Sequence, residues 1–406
     1  MKILHVIPSV SPVRGGPSQA VLEMVWALRQ QGVDAAIATT NDDGDQLLSV
    51  PLNQWVDYPV DPNEPTKTVP VRFFARCELP VTAVREFALS FSFTMWLWKN
   101  LANYDVMHAH AIFSYVPTAA MAIARTVGVP YIVRPLGQLC HWSLQQGAKK
   151  KQNYLRLIER TNLQQAAAIH FTALQERQEA AALELGTDSF ILPHGLNLPE
   201  AMPNASAQLK QWLNLPEDVP VILFLSRIHP KKGLEVLIEA LSKLRSQPFR
   251  LVIAGSGTAV YEQQIQHCVS QANLDDRTHF VGFVKGEAKQ MLLQGADLFA
   301  LPSHSENFGI AVLEAMAAGL PTLITPAVGL SPIVQQQNLG WVVPQTQAAV
   351  EGALQAFLQE PQAARSMGER AVSIVQQQFT WTQVAQQLAQ HYHAMAQLSV
   401  PATATA

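Results

Sequence analysis

Cysteine is scarce. Cys77, Cys140 and Cys268 are three in 406 residues, too few and too far apart for a disulfide framework or a thiolate metal cluster. A reducing compartment is the expectation. An excess charge of one sign is also missing. The 28 basic and 31 acidic side chains leave a net charge of −3, without the positive field that non-specific nucleic-acid binding requires. No uninterrupted apolar run reaches 18 residues. The nearest is Phe87–Trp98, twelve residues with five aromatics, which reads as a packed or an interfacial helix. The amino end, Met1–Ile7, has one lysine and turns polar at once, so it reads as a first strand and not a signal peptide. Neither a G-x-G-x-x-G dinucleotide fingerprint nor a phosphate-loop G-K-Ser/Thr ending follows that strand.

What is present is length, apolar content and alternation. The chain is long enough for two domains, and a 48% hydrophobic content supports substantial cores. Strand-like runs occur at 2–7, 33–40, 104–110, 131–134, 167–171 and 190–192, with helix-compatible stretches at 18–31, 112–127, 152–166 and up to Leu185. Residues 41–80 are rich in turn formers and yield no assignment. After a Pro- and Asn-bearing linker at 196–219 the alternation resumes. Strands are expected at 221–225, 250–254, 278–281, 297–301 and 322–325, with helices at 234–245, 258–272, 288–293 and from about Phe308. Helical stretches near 346–359, 361–378 and 381–397 follow, and the tail 401–406 is expected to fray. This is an α/β pattern with parallel sheets.

Several short segments carry polar groups where such sheets place ligands, at the carboxyl ends of strands. Gly15 and Gly16 lie between the first strand and a helix, where missing side chains admit a phosphate or simply allow a turn. His108 and His110 end a strand; each read by itself is more simply a core or turn histidine, and of the two the terminal position favours His110 as the active-site candidate. Neither has Cys, Asp or Glu beside it, so a metal site is not indicated. Ser226–Gly233 carries Arg227, a planar fork of donors, and Lys232, a mobile ammonium, both suited to a diphosphate. Gly255 and Gly257 follow the next strand. Glu306 sits in a loop, and Glu314 lies on the helix that follows it. Amides around Asn307, Phe308 and Gly309 face the same space. Taken as an isolated pair, the two glutamates read more simply as ordinary surface carboxylates. The basic stretch Lys149–Lys151 with Arg156 and Arg160 suits a phosphate, an anionic lipid or an anionic acceptor, or is a solvated face.

Together, Arg227–Lys232 and Glu306-Asn-Phe-Gly-Ile-Ala-Val-Leu-Glu314, with Gly15-Gly16 and His108-Ala-His110, give a resemblance over roughly residues 2–378. The chain resembles a family-4 retaining nucleotide-sugar glycosyltransferase. That resemblance implies the GT-B architecture, two Rossmann-like domains facing each other across a cleft. The boundaries expected are 1–200 for the acceptor-side domain and 201–378 for the donor domain, with 379–406 a terminal helix and tail packing back on the first domain.

The resemblance implies no cofactor and no metal. It implies a nucleotide-diphosphate sugar as donor and a hydroxyl of a glycan or lipid-linked saccharide as acceptor, in cell-surface or extracellular polysaccharide synthesis. It places Arg227 and Lys232 on the donor diphosphate and Glu306 near the donor sugar. Asn307, Phe308, Gly309 and Ile310 follow with their amides, and Glu314 meets the ribose. Gly15 and Gly16 approach the phosphate, His110 the sugar, Gly255 and Gly257 the nucleotide, and Phe283 and Val284 the base. Where relatives often carry Asn-Gly, this chain has His194-Gly195.

A cytoplasmic protein, with contact at the inner face of the membrane admitted, is the matching expectation. The sequence does not indicate an oligomeric state. Two other classes stay open: a GT-B-like nucleotide-sugar epimerase and a non-catalytic nucleotide-sugar binder.

Overall fold

The computed structural model describes residues 1–61, 64–78, 85 and 87–398; the tail 401–406 expected to fray lies outside the described residues. The chain divides into two units. One comprises Met1–Gly195 together with the chain from Trp381 onward, and the other is Leu196–Thr380.

The first unit holds strands β1 (Lys2–Val6), β2 (Asp34–Thr40), β3 (Asp42–Asp43), β4 (Gln46–Leu47), β5 (Trp55–Asp61), β6 (Glu64–Phe74), β7 (Val106–His110), β8 (Tyr131–Arg134), β9 (Ala168–Phe171) and β10 (Ser189–Ile191). Eight of them form one sheet in the order β10-β9-β8-β7-β1-β2-β6-β5, while β3 and β4 make a separate short hairpin. All pairs in the large sheet are parallel except the edge strand β5 against β6. A parallel sheet buried on both faces explains the near-continuous apolar runs. On β1, Ile3 packs with one core and Leu4 and Val6 with the other. Helix Gly16–Gln30 covers the first face and helix Tyr115–Val127 the second.

Helix Trp381–Leu398 also packs on the first face, through Trp381, Val384, Leu388, Tyr392 and Met395. Their three- and four-residue spacing forms one stripe of a helix. Gly195 is required at the junction, because a Cβ there would stand 2.4 Å from the Trp381 indole.

Strands β5 and β6 fall in the segment that the sequence left unassigned. Pro65 and Pro70 in β6 weaken any reading as a central strand. The parallel ladder with β2 uses only Val71–Phe74, and the prolines lie along the antiparallel pairing with the edge strand, where a missing N–H is tolerated. The single helix expected at 152–166 is broken into helix Ala148–Tyr154, a wide i→i+5 turn at Leu155–Glu159 and helix Arg160–Gln164.

The second unit has six strands: β11 (Val221–Leu225), β12 (Arg250–Ala254), β13 (Thr278–Gly282), β14 (Leu298–Leu301), β15 (Thr322–Ile324) and β16 (Gly340–Val342). They are all parallel, in the order β13-β12-β11-β14-β15-β16. This is the doubly wound Rossmann order, whose direction of winding reverses between the first and fourth strands, here β11 and β14. The three-residue β16 gives too short an apolar run to read from sequence. No helix among the described residues is long and apolar enough to cross a membrane.

Candidate active site

In the second unit, the expected donor residues fall at the carboxyl ends of strands of one sheet or on the helix that follows β14. Arg227 and Lys232 follow β11, Gly255 and Gly257 follow β12, and Phe283 and Val284 follow β13. Glu306, Asn307, Phe308 and Gly309 follow β14, and helix Ile310–Ala317 begins at once, carrying Glu314.

The loops after β11 and β14 flank the point where the winding reverses, and they are tied together. His304 N donates to Lys231 O at 2.8 Å, and Gln345 Nε2, from the loop after β16, holds the second of them by donating to Pro302 O at 2.6 Å. Gly233 has φ +70°, and a Cβ there would lie 2.0 Å from Pro302 O, so glycine lets one loop lie on the other.

The result is an ion pair. Lys232 Nζ donates to Glu306 Oε2, with the side chains only 10% and 22% exposed. The ammonium is nearly enclosed, and a carboxylate close to it offsets the cost of that burial. Glu306 is itself fixed by its backbone: its N–H donates to Ala327 O at 2.8 Å and its carbonyl accepts from Gly329 N at 2.9 Å. Glu314 is also paired, accepting from Lys289 Nζ at 2.6 Å. Lys289, on helix Gly286–Gly295, was not singled out from sequence, where nothing in its spacing marks it.

Gly255 and Gly257 serve a packing role that the sequence does not reveal. A Cβ on Gly255 would stand 1.8 Å from Ser226 O, and one on Gly257 would stand 2.1 Å from Ile228 O. The two loops cross backbone to backbone, with Ile228 N donating to Ser256 O at 2.9 Å. The Gly257 amide donates to Glu262 Oε1 at 2.6 Å. Arg227 is exposed, and so is Phe283 at 74%. Gly309 has φ +95° and precedes the helix, whose first amides have no partner from the helix itself.

In the first unit, Gly15 and Gly16 are exposed at the start of the fifteen-residue helix Gly16–Gln30. Gly15, at φ +81°, has nothing within 4 Å of where a Cβ would be, so a ligand or solvent can approach the backbone. His110 is the last residue of β7 and is fully buried. It shares a 2.9 Å hydrogen bond with His5 Nδ1 and stacks on His108 at 4.4 Å, while its Nδ1 has no protein partner.

The surrounding cluster was not visible from spacing. His5 on β1 is in register with His108, and His110 with Arg134 on β8, so these side chains share one sheet face. His108 Nδ1 meets the Tyr392 hydroxyl at 2.7 Å, and His170 Nε2 meets Leu192 O at 2.8 Å. His194, the departure noted above, meets Arg134 Nη2 at 3.0 Å.

Burial pushes His5 down to about 3, with the Arg134 charge adding to the effect. It also holds His108, His110, His170 and His194 well below the usual imidazole range. Arg134, fully enclosed, is lowered to about 10, chiefly by burial. His5, His108 and His110 offer nitrogens within 4.8 Å of one another, close enough to share a metal ion. Hydrogen bonds to protein already occupy both nitrogens of His5 and of His108, and a guanidinium lies in the same cluster, so the fit to a cation is poor.

The loops beyond β7 and β8 are strained. Ala111, Phe113 and Leu136 take φ of 69°, 57° and 57°, conformations that need outside support in residues with a Cβ. Two buried carboxylates supply part of it. Glu159 accepts from Phe113 N at 3.3 Å, and Glu176 accepts from Gly137 N at 2.6 Å.

Comparison with known proteins follows this division. Residues 15–189 match the family described as "Glycosyl transferase 4-like domain", and residues 206–373 match "Glycosyl transferases group 1". The D-inositol 3-phosphate glycosyltransferase of Pseudarthrobacter chlorophenolicus is 26% identical over 418 residues, spanning 96% of this chain and 94% of that protein. An uncharacterized glycosyltransferase of Methanocaldococcus jannaschii is 31% identical over 208 residues, spanning 50% of this chain and about half, 53%, of that relative's length. Among solved structures, Anabaena HepE in complex with UDP and glucose superposes with a TM-score of 0.74, covering 97% of this chain and 100% of that one at 18% identity. That likeness shows a shared fold, GT-B.

Proposed function

We propose that this chain, a GT-B protein related in both halves to the group 1 and 4-like glycosyl transferases, moves a sugar from a nucleotide-diphosphate donor to a hydroxyl with retention of anomeric configuration. The observation that carries this reading is the pairing of Lys232 with Glu306 at the reversal point of a Rossmann sheet, beside the exposed Arg227.

As the sugar–phosphate bond breaks, negative charge grows on the leaving diphosphate. Lys232, Arg227 and the amides that open helix Ile310–Ala317 stabilise that charge more strongly in the transition state than before it. Because Lys232 is fixed and nearly enclosed, little reorganisation is needed when the charge appears. Glu306 holds the ammonium in place with one oxygen and has a second with which to accept a hydroxyl of the donor sugar. Glu314, steadied by Lys289, accepts from the ribose in the same way. Phe283 supplies an exposed ring for the base. In the first unit, the Gly15 amide is taken by Pro12 O at 3.0 Å, the amide of the exposed Gly16 suits a phosphate oxygen, and His110 is assigned to the sugar.

The acceptor hydroxyl attacks on the face from which the diphosphate leaves, and a phosphate oxygen takes its proton. The two glutamates are donor contacts and not a glycosidase-type acid and nucleophile. The acceptor class is a glycan or lipid-linked saccharide, in cell-surface or extracellular polysaccharide synthesis. The chemistry uses no metal: lysine, arginine and helix-end amides neutralise the diphosphate.

The test is a matrix of nucleotide sugars, with UDP-glucose first, against a glycan and lipid extract, with and without a chelator. Product anomericity is then measured. A product of retained configuration, formed at the same rate with chelator, supports the reading. An epimer formed without acceptor, an inverted product, or activity restored by one metal alone contradicts it.

A further inference from the structure

We propose that Tyr392 and the imidazoles of His5, His108 and His170 are positioning residues: a one-way chain of hydrogen bonds, anchored at Leu192 O, holds His110 in the tautomer whose bare Nδ1 accepts from a hydroxyl of the donor sugar. The partner given to that nitrogen rests on the function proposed above; the chain of bonds does not.

Its direction is set at one end. Leu192 O can only accept, so His170 Nε2, 2.8 Å away, carries a proton. A neutral imidazole has a single N–H, so His170 Nδ1 is an acceptor, and His108 Nε2 donates to it at 3.4 Å. His108 Nδ1 then accepts from the Tyr392 hydroxyl at 2.7 Å. The Tyr392 oxygen accepts in turn from His5 Nε2 at 3.4 Å. His5 Nδ1 is left as the acceptor for His110 Nε2–H at 2.9 Å. At the far end stands His110 Nδ1, a buried lone pair with no partner among the described residues.

Every ring must be neutral, because a charged imidazole donates from both nitrogens and breaks the direction. The four rings are fully buried. Burial, with the Arg134 charge adding to it, holds them below the usual imidazole range. Burial also keeps the proton on Tyr392, whose hydroxyl is held well above the usual phenol range. The reverse direction would turn a lone pair of His170 toward Leu192 O and leave two buried acceptors unpaired. That disfavours the other tautomers by about tenfold or more.

Parallel register places His5 beside His108, and helix Trp381–Leu398 packs over the same sheet face. Tyr392 thus closes a gap between two histidines from a position 284 residues beyond His108. The consequence is chemical selection. A nitrogen fixed as an acceptor takes an O–H and repels a group that can only accept. A sugar hydroxyl fits it, and an unprotonated phosphate oxygen does not.

The experiment uses the full chain carrying isotope-labelled histidine and reads the ring nitrogens by two-bond proton–nitrogen correlation, which separates a protonated nitrogen from a bare one. His110→Gln assigns the His110 signals by their loss. The expected result is Nε2–H and bare Nδ1 at His5, His108, His110 and His170 alike. Tyr392→Phe keeps the packed ring and removes the link, so a second tautomer should appear at His110. Affinity for the nucleotide sugar selected by the transfer matrix should fall by roughly 2–10-fold, with affinity for its nucleoside diphosphate unchanged. A protonated Nδ1 at His110 in the parent protein would overturn the proposal, whether or not Tyr392→Phe folds. So would unchanged His110 signals in Tyr392→Phe, or an equal loss of affinity for nucleotide sugar and nucleoside diphosphate, as a merely structural role would give. A parent protein that shows the expected tautomers and transfers no sugar would support the chain of bonds and refute the proposed function alone.

Discussion

Lys232 Nζ is bonded to Glu306 Oε2 although the two residues stand 74 apart in sequence. Glu306→Gln leaves the enclosed ammonium with a neutral partner, a loss of about 1–3 kcal/mol. On the proposed chemistry a diphosphate supplies the missing negative charge. A nucleoside diphosphate should therefore raise the melting temperature of this variant more than that of the parent, while transfer slows because a sugar contact is lost. Equal shifts in differential scanning fluorimetry would separate Lys232 from the diphosphate.

Gly255→Ala should be a folding defect and not a binding one. The added methyl would meet Ser226 O at 1.8 Å, where backbone on both sides must shift. A loss of at least about 2–3 kcal/mol is expected in urea unfolding of the second unit. Gly15→Ala has open space around it, so its cost is confined to the backbone, about 1–3 kcal/mol for a side chain at φ +81° and ψ −154°, a region that is essentially glycine's. The loss at Gly255 should be the larger of the two, and a loss at Gly15 that equals or exceeds it would refute this contrast.

Acid should destabilise the first unit. His5, His108, His110, His170 and His194 are held neutral by burial, with folded values below the 6.5 of an unfolded chain. Between those values the unfolded state binds more protons, so stability is full above pH 6.5 and falls as pH drops below it. For His5 the fall continues to about 3. Each such group contributes a slope of about 1.4 kcal/mol per pH unit. Urea midpoints at pH 7, 6 and 5 should decline steeply, and His194→Asn should flatten the decline. A flat profile would mean that these rings are solvated.

Much of this was legible in the residues. Strand–helix alternation gave both α/β units, and the short spacing from Arg227 to Lys232 and from Glu306 to Glu314 marked two loops. What the sequence could not give was partnership across distance. Nothing local to Lys289 shows that it meets Glu314. Nothing in the spacing of His5, Arg134 and Tyr392 shows that parallel register and a returning helix gather them around His110. Strands β5 and β6 were hidden by prolines that only an edge pairing tolerates. Glycine was also ambiguous: Gly255 and Gly257 look like Gly15 in sequence, yet the first two admit a crossing backbone while the third is open.

The most direct test of the account is the single-turnover transfer rate of Lys232→Ala with donor and acceptor saturating. Removing a fixed positive group from the leaving diphosphate should slow transfer by roughly 10²–10³-fold, with Lys232→Arg recovering part of it and a stability loss no larger than the about 1–3 kcal/mol expected for Glu306→Gln. An unaltered rate would contradict the claim that this ammonium takes up the charge of the departing diphosphate.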